Sequence, residues 1–582
     1  MAEKIIMPKA GSEMVEGEIV KWFKKEGEQV KEGELLLEIV TDKVNMELEA
    51  ETSGVLLKIL AKPGDVVPVV SVIGWIGEEG EEIPEEETEP EVKKENKVED
   101  KEEEKSPVPV EVKKTEEKPA EKRKGEYDVC VIGGGPAGYV AAIKAAQLGG
   151  KVALVEKDEI GGTCLNRGCI PTKAYLHNAE IIFNIKDAAS RGINLENTSF
   201  KVDMDKTVKE KNKIVKTLTG GVGVLLKSHD IKVFKGEAKI DKDKKVVVSS
   251  GETIDADKII LAGGSKAYMI DIPGIDNPKV LNSDQILDLK EIPEKLAVIG
   301  GSVIACELGQ VFAAFGSEVT IVIRADKIIR RMDKDLSPVL TKRFEKDGII
   351  ILNHAKPLEI KNKGKQVKIV IDGKEDLVVD KVLVSTGRIP DLSAVENLDI
   401  EMEKGRVKVN DRMETSIPGV YAPGDINGIK MLAHAAFRMG EVAAENAMGH
   451  DRTFDRKSIP NVIYTIPEVA SVGLTEEEAK EKYDIKIGRF NFGANGRALA
   501  ADSREGFVKV IMDTKYHEIL GVHIIGPSAS EIINEASTFI QSEFTIEDAI
   551  EVIHGHPTFS EALYEACTDC LDICIHAPKK KV

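Results

Sequence analysis

Two cysteines stand five positions apart in the stretch Gly161-Gly162-Thr163-Cys164-Leu165-Asn166-Arg167-Gly168-Cys169-Ile170-Pro171-Thr172-Lys173. Its glycines let the backbone come close to a ligand. A helix starting here would turn its unpaired N–H groups and its dipole toward a thiol and stabilise the thiolate. Arg167 and Lys173 add positive charge. Two low-pKa cysteines within about one helical turn can cycle between dithiol and disulfide. Zinc requires four ligands, and no second Cys/His pair follows at suitable spacing. Two inert core thiols would leave the glycines and the basic residues unexplained. The stretch therefore reads as a redox pair.

A redox pair needs a partner that accepts electrons, and the preceding segment supplies a fold for one. Tyr127-Asp128-Val129-Cys130-Val131-Ile132 is a buried-strand run, followed by Gly133-Gly134-Gly135-Pro136-Ala137-Gly138 and a helical run from Tyr139 to Leu148. Gly133, Gly135 and Gly138 form GxGxxG in its strand–turn–helix setting, which lets the backbone close on a pyrophosphate at the helix N-terminus. The next strand, Val152-Ala153-Leu154-Val155, ends in Glu156, 23 residues after Gly133, where a ribose hydroxyl needs an acceptor. A second unit opens at Leu296-Ala297-Val298-Ile299-Gly300-Gly301-Ser302-Val303-Ile304-Ala305 and leads into a helix from Cys306 to Phe315. Ser302 and Ala305 replace the second and third glycines of the motif.

The cysteine stretch resembles the active-site disulfide of the flavin disulfide reductases, and within them the branch that oxidises dihydrolipoamide. Relatives typically have Val and Ser where this chain has Arg167 and Thr172, so a cation stands between the two cysteines here. The resemblance implies FAD on the first nucleotide fold and a nicotinamide cofactor on the second. For FAD it singles out Gly133, Gly135, Gly138, Glu156, Lys173, Gly236, Gly264, Ser265, Asp425 and the turn Met431-Leu432-Ala433-His434. Gly263 departs from the family's Thr-Gly-Ser, and the side chain of His434 is read as structural. For the nicotinamide cofactor it singles out Gly300, Ser302, Ala305, Gly387 and Glu307, the last as the partner of Lys173. The second fold lacks the carboxylate of the first, because the same 23-residue offset from Gly300 lands on Ile323. Arg324 and Arg330 follow, where the related glutathione reductases hold the 2′-phosphate of NADPH, so NADP is favoured over NAD.

Near the end stands His554-Gly555-His556-Pro557-Thr558-Phe559-Ser560-Glu561. His556 and Glu561 resemble the family's acid–base pair, which reaches into a partner subunit and so implies a homodimer. An imidazole titrates near working pH, and a carboxylate fixes its tautomer. Cys567, Cys570 and Cys574 share one helical face by spacing and are read as an apolar interface stripe rather than a further redox group.

Residues 1–77 read as an all-β domain of short strands. Lys25-Glu26-Gly27-Glu28-Gln29-Val30 recurs 37 residues later as Lys62-Pro63-Gly64-Asp65-Val66-Val67, which points to a pseudo-symmetric sandwich. Two β-rich runs flank Thr41-Asp42-Lys43-Val44 and place Lys43 at a hairpin tip. The domain resembles a lipoyl domain, with Gly33 and Gly54 nearly equidistant from Lys43, which implies covalent lipoate there. Biotin carriers share the fold but usually have Met on both sides of the lysine. The plain alternative is a solvated surface lysine.

Residues 78–124 carry a net charge of −8, five prolines and no aromatic residue, so they read as a flexible linker. The expected order is thus a lipoyl domain (1–77), the linker (78–124), an FAD-binding domain (125–270 and 394–460) around an NAD(P)-binding domain (271–393), and an α+β dimerisation domain (461–582). The formal net charge of −20 argues against nucleic-acid binding. No signal peptide and no apolar run of membrane-spanning length is expected, so the cytoplasm is the default compartment. The implied activity is oxidation of dihydrolipoamide, with the lipoyl domains of 2-oxo acid dehydrogenase or glycine cleavage proteins as partners. Two rivals are an NADPH-dependent reductase of another disulfide and a chain that serves mainly as a lipoyl carrier.

Overall fold

The computed structural model describes residues 3–7, 16–31, 33–40, 45–50, 52–68, 71–78, 81, 125–197, 199–241 and 243–578. Lys43 and nearly all of the expected linker lie outside them. The chain divides into two compact units, Met1–Lys118 and Pro119–Val582.

The first unit is two four-stranded antiparallel sheets. One runs Glu3–Ile6, Val72–Gly77, Gly54–Ile59, Gln29–Val30, and the other Asn45–Glu49, Leu35–Val40, Glu16–Trp22, Val66–Pro68. Ile19, Leu37, Ile39, Leu56, Val67 and Ile73 close the core between them, each fully buried. The repeat seen in the sequence is a structural two-fold. The Gly27 N–H donates to the Leu56 carbonyl (2.8 Å), and the Gly64 N–H donates to the Ile19 carbonyl (2.7 Å). Both donors and both acceptors are 37 residues apart. Both glycines have positive φ, +87° and +91°, which L side chains rarely adopt. Strands Leu35–Val40 and Asn45–Glu49 pair with Val40 opposite Asn45, and Lys43 falls between them in sequence.

The second unit begins with a five-stranded parallel sheet in the order Lys232–Lys235, Val152–Glu156, Tyr127–Ile132, Ala256–Leu261, Val420–Tyr421. The last strand returns to this sheet after a second parallel sheet, Val280–Leu281, Lys381–Val384, Lys295–Ile299, Glu318–Val322, Ile350–Leu352. The central strands of both are near-continuous apolar runs, as strands covered on both faces must be. A five-stranded antiparallel sheet follows, in the order Asn461–Ile463, Glu468–Gly473, Ile519–Gly526, Phe507–Asp513, Ile485–Asn491. Helices Ala529–Gln541 and Glu561–Cys570 pack on it. Among the described residues no helix is long and apolar enough to cross a membrane.

One buried ion network ties the antiparallel sheet to the second nucleotide fold. The Lys509 side chain is 1% exposed, and its Nζ meets Asp333 Oδ1 (2.8 Å), Asp335 Oδ2 (2.8 Å) and Glu476 Oε2 (2.7 Å). Burial alone would raise the Glu476 pKa, but hydrogen bonds from Lys480, Lys509 and Lys334 pull it down to about 2. Lys509→Met leaves the buried Asp333 carboxylate without its lysine, and breaking such a network costs about 3–5 kcal/mol. Chemical denaturation of the variant checks this, and a loss below about 0.5 kcal/mol refutes it. Because the folded pKa is depressed, the contribution of Glu476 is complete above the ordinary carboxylate pKa. It is lost as pH falls from there toward 2.

Candidate functional site

The first glycine-rich loop is shaped by the absence of side chains. A Cβ on Gly133, at φ +103°, would lie 2.3 Å from the Ala262 carbonyl oxygen, and one on Gly138 would lie 1.7 Å from that of Gly133. Helix Pro136–Gln147 therefore starts tight against the sheet. Its N-cap Gly135 offers no side-chain hydrogen bond, which leaves the first N–H groups for a ligand. Glu156 ends its strand 8% exposed. Its Oε2 accepts from the Gly134 N–H (2.6 Å) and its Oε1 from the Asp158 N–H (2.7 Å).

In the second fold, a Cβ on Gly300 would lie 2.1 Å from the Ser385 carbonyl oxygen. Ala305 is fully buried, so a methyl is accommodated at the place of Gly138. Helix Val303–Phe315 is likewise uncapped by its N-cap Ser302. Gly134 lies beside Glu156, whereas a Cβ on its counterpart Gly301 would lie 2.6 Å from Ile323 Cγ2. An aliphatic side chain thus fills the place of the acceptor. Arg324 and Arg330 are exposed, and neither forms an ion pair with a described residue.

Two helices present the cysteines. Gly161 and Gly162, at φ +95° and +55°, turn the chain into helix Gly162–Arg167, which carries Cys164. Gly168 interrupts, and Cys169 opens helix Cys169–Asp187. The single helix start expected from sequence is therefore two helices with a break between the thiols. Both cysteines stand as free thiols. The sequence reads both as low-pKa groups, but only Cys169 is shifted down. A hydrogen bond from Cys164, with the charge of Lys173 acting against burial, pulls Cys169 down to about 7. That same bond, and then burial, push Cys164 up. The Arg167 guanidinium pairs with Asp158.

Lys173, one turn into the second helix, gives Nζ to Glu307 Oε2 (2.9 Å) and Oε1 (3.1 Å). Glu307 lies on helix Val303–Phe315 and its side chain is 3% exposed. The same Oε1 accepts the Tyr464 backbone N–H (2.9 Å), and Nζ lies 4.3 Å from the centre of the Tyr464 ring.

A cavity of 2770 Å³ runs past both glycine loops and both cysteines. Its walls include Gly236, Gly264, Ser265, Asp425, Met431, Leu432, Ala433, His434, Ser302, Glu307, Arg324, Arg330 and Gly387. Ser265 Oγ donates to Asp425 Oδ2 (2.5 Å), and Arg388 Nε donates to Ser265 Oγ (2.7 Å). Burial raises the Asp425 carboxyl, against that bond and the Arg388 charge. The glycine cradle, the uncapped helix and the carboxylates of Glu156 and Asp425 fit FAD. The His434 ring contacts the Pro460 carbonyl oxygen through Nε2 (2.8 Å) and burial lowers its pKa, as suits a structural histidine.

His556 and Glu561 do not line this cavity. The His556 side chain is 78% exposed, and its Nδ1 is 2.8 Å from Glu561 Oε1. Burial would raise Glu561, but the bonds from His556 and the Thr558 N–H hold it below the usual carboxylate range. His554 is instead fastened, with Nε2 2.8 Å from Glu535 Oε1. Cys567 and Cys570 are buried in the chain's own core beneath the antiparallel sheet, not in an interface stripe as expected. Cys574 lies beyond the end of their helix, so the three do not share one helical face; its thiol donates to Glu565 Oε2 (2.9 Å). Sequence reasoning missed Tyr464 and Lys509, neither of which sits in a motif; it placed Arg388 in the loop Ser385-Thr386-Gly387-Arg388 that closes the second nucleotide fold, but not its bond to Ser265.

Residues 127–440 match the family model of pyridine nucleotide-disulphide oxidoreductases, and residues 459–567 match the dimerisation domain of that family. Residues 3–76 match the biotin/lipoyl model, described as biotin-requiring enzyme. The chain is 39% identical over 457 residues to a dihydrolipoyl dehydrogenase of Bacillus subtilis, covering 77% of this chain and 100% of that one. It is 41% identical over 464 residues to one from Thermus scotoductus, covering 77% and 98%. Among solved structures, the HOCl-induced flavoprotein disulfide reductase RclA from Escherichia coli is 28% identical with a TM-score of 0.69, over 76% of this chain and 99% of that one.

Proposed function

Because the chain belongs to the pyridine nucleotide-disulphide oxidoreductase family, we propose that it oxidises dihydrolipoamide to lipoamide through Cys164 and Cys169 and passes the electrons to a nicotinamide cofactor, with NADP favoured. The observation that carries this is the pair of thiols on successive helices, with Lys173 one turn on, in a cavity shared by two nucleotide folds. One substrate thiolate attacks Cys164 Sγ of the oxidised pair. The Cys164–Cys169 bond breaks, Cys169 leaves as a thiolate, and the substrate is held as a mixed disulfide. His556 removes the proton from the second substrate thiol. That thiolate attacks the substrate sulfur bonded to Cys164, closing lipoamide and leaving a reduced pair. FAD held by the Gly133–Gly138 loop, Glu156 and Asp425 would supply the two-electron chemistry that links the dithiol to the nicotinamide cofactor.

The exposed His556–Glu561 pair lies away from its own chain's cavity, which supports a homodimer in which it serves the partner's cysteines. We assign lipoate to Lys43, so that residues 1–77 are a tethered substrate arm, with the lipoyl domains of 2-oxo acid dehydrogenase or glycine cleavage proteins as further partners. Intact mass after expression with lipoate should rise for the wild type and not for Lys43→Arg; modification of that variant contradicts the assignment. A cytoplasmic setting suits a chain whose five other cysteines are also free thiols.

The test of the cysteine roles is spectroscopic. Dihydrolipoamide should reduce the enzyme and produce the long-wavelength absorbance of a thiolate against flavin, whereas glutathione should not. Cys164→Ser should keep a thiolate band, and Cys169→Ser should abolish it. The reverse pattern exchanges the two roles, and reduction by glutathione alone defeats the substrate assignment.

A further inference from the structure

We infer that Tyr464 is a positioning residue of the redox centre, holding Lys173 beside Cys169 from the interface domain. This deepens the proposed reaction and rests on the assignment of Cys169 as the thiolate. Three parts of the fold meet at one carboxylate. Lys173 comes from the helix that Cys169 opens, Glu307 from the second nucleotide fold, and Tyr464 follows the edge strand Asn461–Ile463 of the antiparallel sheet. Glu307 Oε1 accepts from both Lys173 Nζ (3.1 Å) and the Tyr464 N–H (2.9 Å). Any shift of that backbone therefore moves the acceptor on which Lys173 rests.

The ring acts separately from the backbone. The Lys173 ammonium stands 4.3 Å from its centre, well within cation–π range. An ammonium has three donors, and the Glu307 carboxylate receives it through both oxygens. The aromatic face covers a further side of the charge without drawing another proton from it. It also excludes water, so the attraction between Lys173 and a Cys169 thiolate is less screened. The charged and titratable groups acting on Cys169 are Cys164, Lys173 and Glu307, and those acting on Tyr464 are Lys173, Glu468, Glu307 and Glu531. Of these, Lys173 is the cation common to both.

The experiment titrates the thiolate–flavin absorbance of the two-electron-reduced, FAD-loaded protein against pH. Tyr464→Phe keeps the face and should leave the midpoint within a few tenths of a unit. Tyr464→Leu keeps the backbone N–H but removes the face, and the midpoint should rise by about one unit. Pentafluorophenylalanine at position 464 reverses the ring's quadrupole with little change of shape, so it tests the same point if the leucine variant folds poorly. It should also raise the midpoint. An unchanged midpoint with pentafluorophenylalanine overturns the inference while leaving the Cys169 assignment intact. A wild-type protein without any such band overturns both.

Discussion

Replacing His556 with Gln is expected to slow flavin reduction by dihydrolipoamide by roughly 10²- to 10⁴-fold, the usual scale for a lost acid–base group. A dithiol attacks only as a thiolate, and its second thiol must shed a proton within the mixed disulfide. His556 is suited to take it, because Glu561 holds Nδ1 at 2.8 Å and leaves Nε2 open. Glu561 is itself fixed by the Thr558 N–H at 2.8 Å, so the imidazole is aimed by the turn that carries it. His554 is a poor substitute. Its Nδ1 meets the Val552 carbonyl oxygen and its Nε2 meets Glu535, so both ring nitrogens are engaged. Stopped-flow reduction of the FAD-loaded variant gives the rate, and His554→Gln is the control, expected to change it only a few-fold. A His556→Gln rate within a few-fold of wild type would move the base to His554 or to solvent.

NADP⁺ is expected to be used at least about a hundredfold better than NAD⁺, in kcat/KM. NAD-linked folds place a carboxylate at the end of the second strand to accept the ribose 2′-hydroxyl. Here that place is Ile323, which is 4% exposed and packs beside Gly301. A buried aliphatic group offers no acceptor. Arg324 and Arg330 border the same cavity and are exposed, and each charge-assisted contact to a phosphate contributes about 1.5–3 kcal/mol. Two such contacts give a hundredfold or more. Arg324→Glu should shift the ratio toward NAD⁺ by at least tenfold. Equal or better use of NAD⁺ by the wild type sinks the preference, and an unchanged ratio in the variant removes Arg324 from the phosphate.

Both arguments draw on features that a linear reading can reach. Gly133, Gly138 and Gly300 are legible because local sterics dictate them: each lies where a Cβ would stand within 2.3 Å of a carbonyl oxygen. Ile323 is legible because two copies of one fold share a fixed strand length, so an offset measured in the first transfers to the second. The pairing of Lys173 with Glu307 was reached through family resemblance. Tyr464 was not, because its N–H meets a carboxylate 157 residues away and its ring contact follows no periodicity. Lys509 reads as a strand lysine until Asp333, 176 residues earlier, is folded against it. The separate roles of Cys164 and Cys169 were reached through the resemblance, but the hydrogen bond between them and the resting place of Lys173, which separate their acidities, depend on the folded chain.

The crossed turns of the N-terminal unit bear on how it folds and comes apart. Each half supplies the carbonyl that closes the other half's turn, Leu56 for Gly27 and Ile19 for Gly64. Neither half alone completes its backbone pairing, so there is no stable half-domain for a protease to release or for a nascent chain to park in. The unit should melt as one cooperative body, with amide exchange at Gly27 and Gly64 governed by the same global opening. Its pairings reach across the sequence rather than along it, which makes folding slower than in a helical domain of equal length. A domain built this way is either whole or absent.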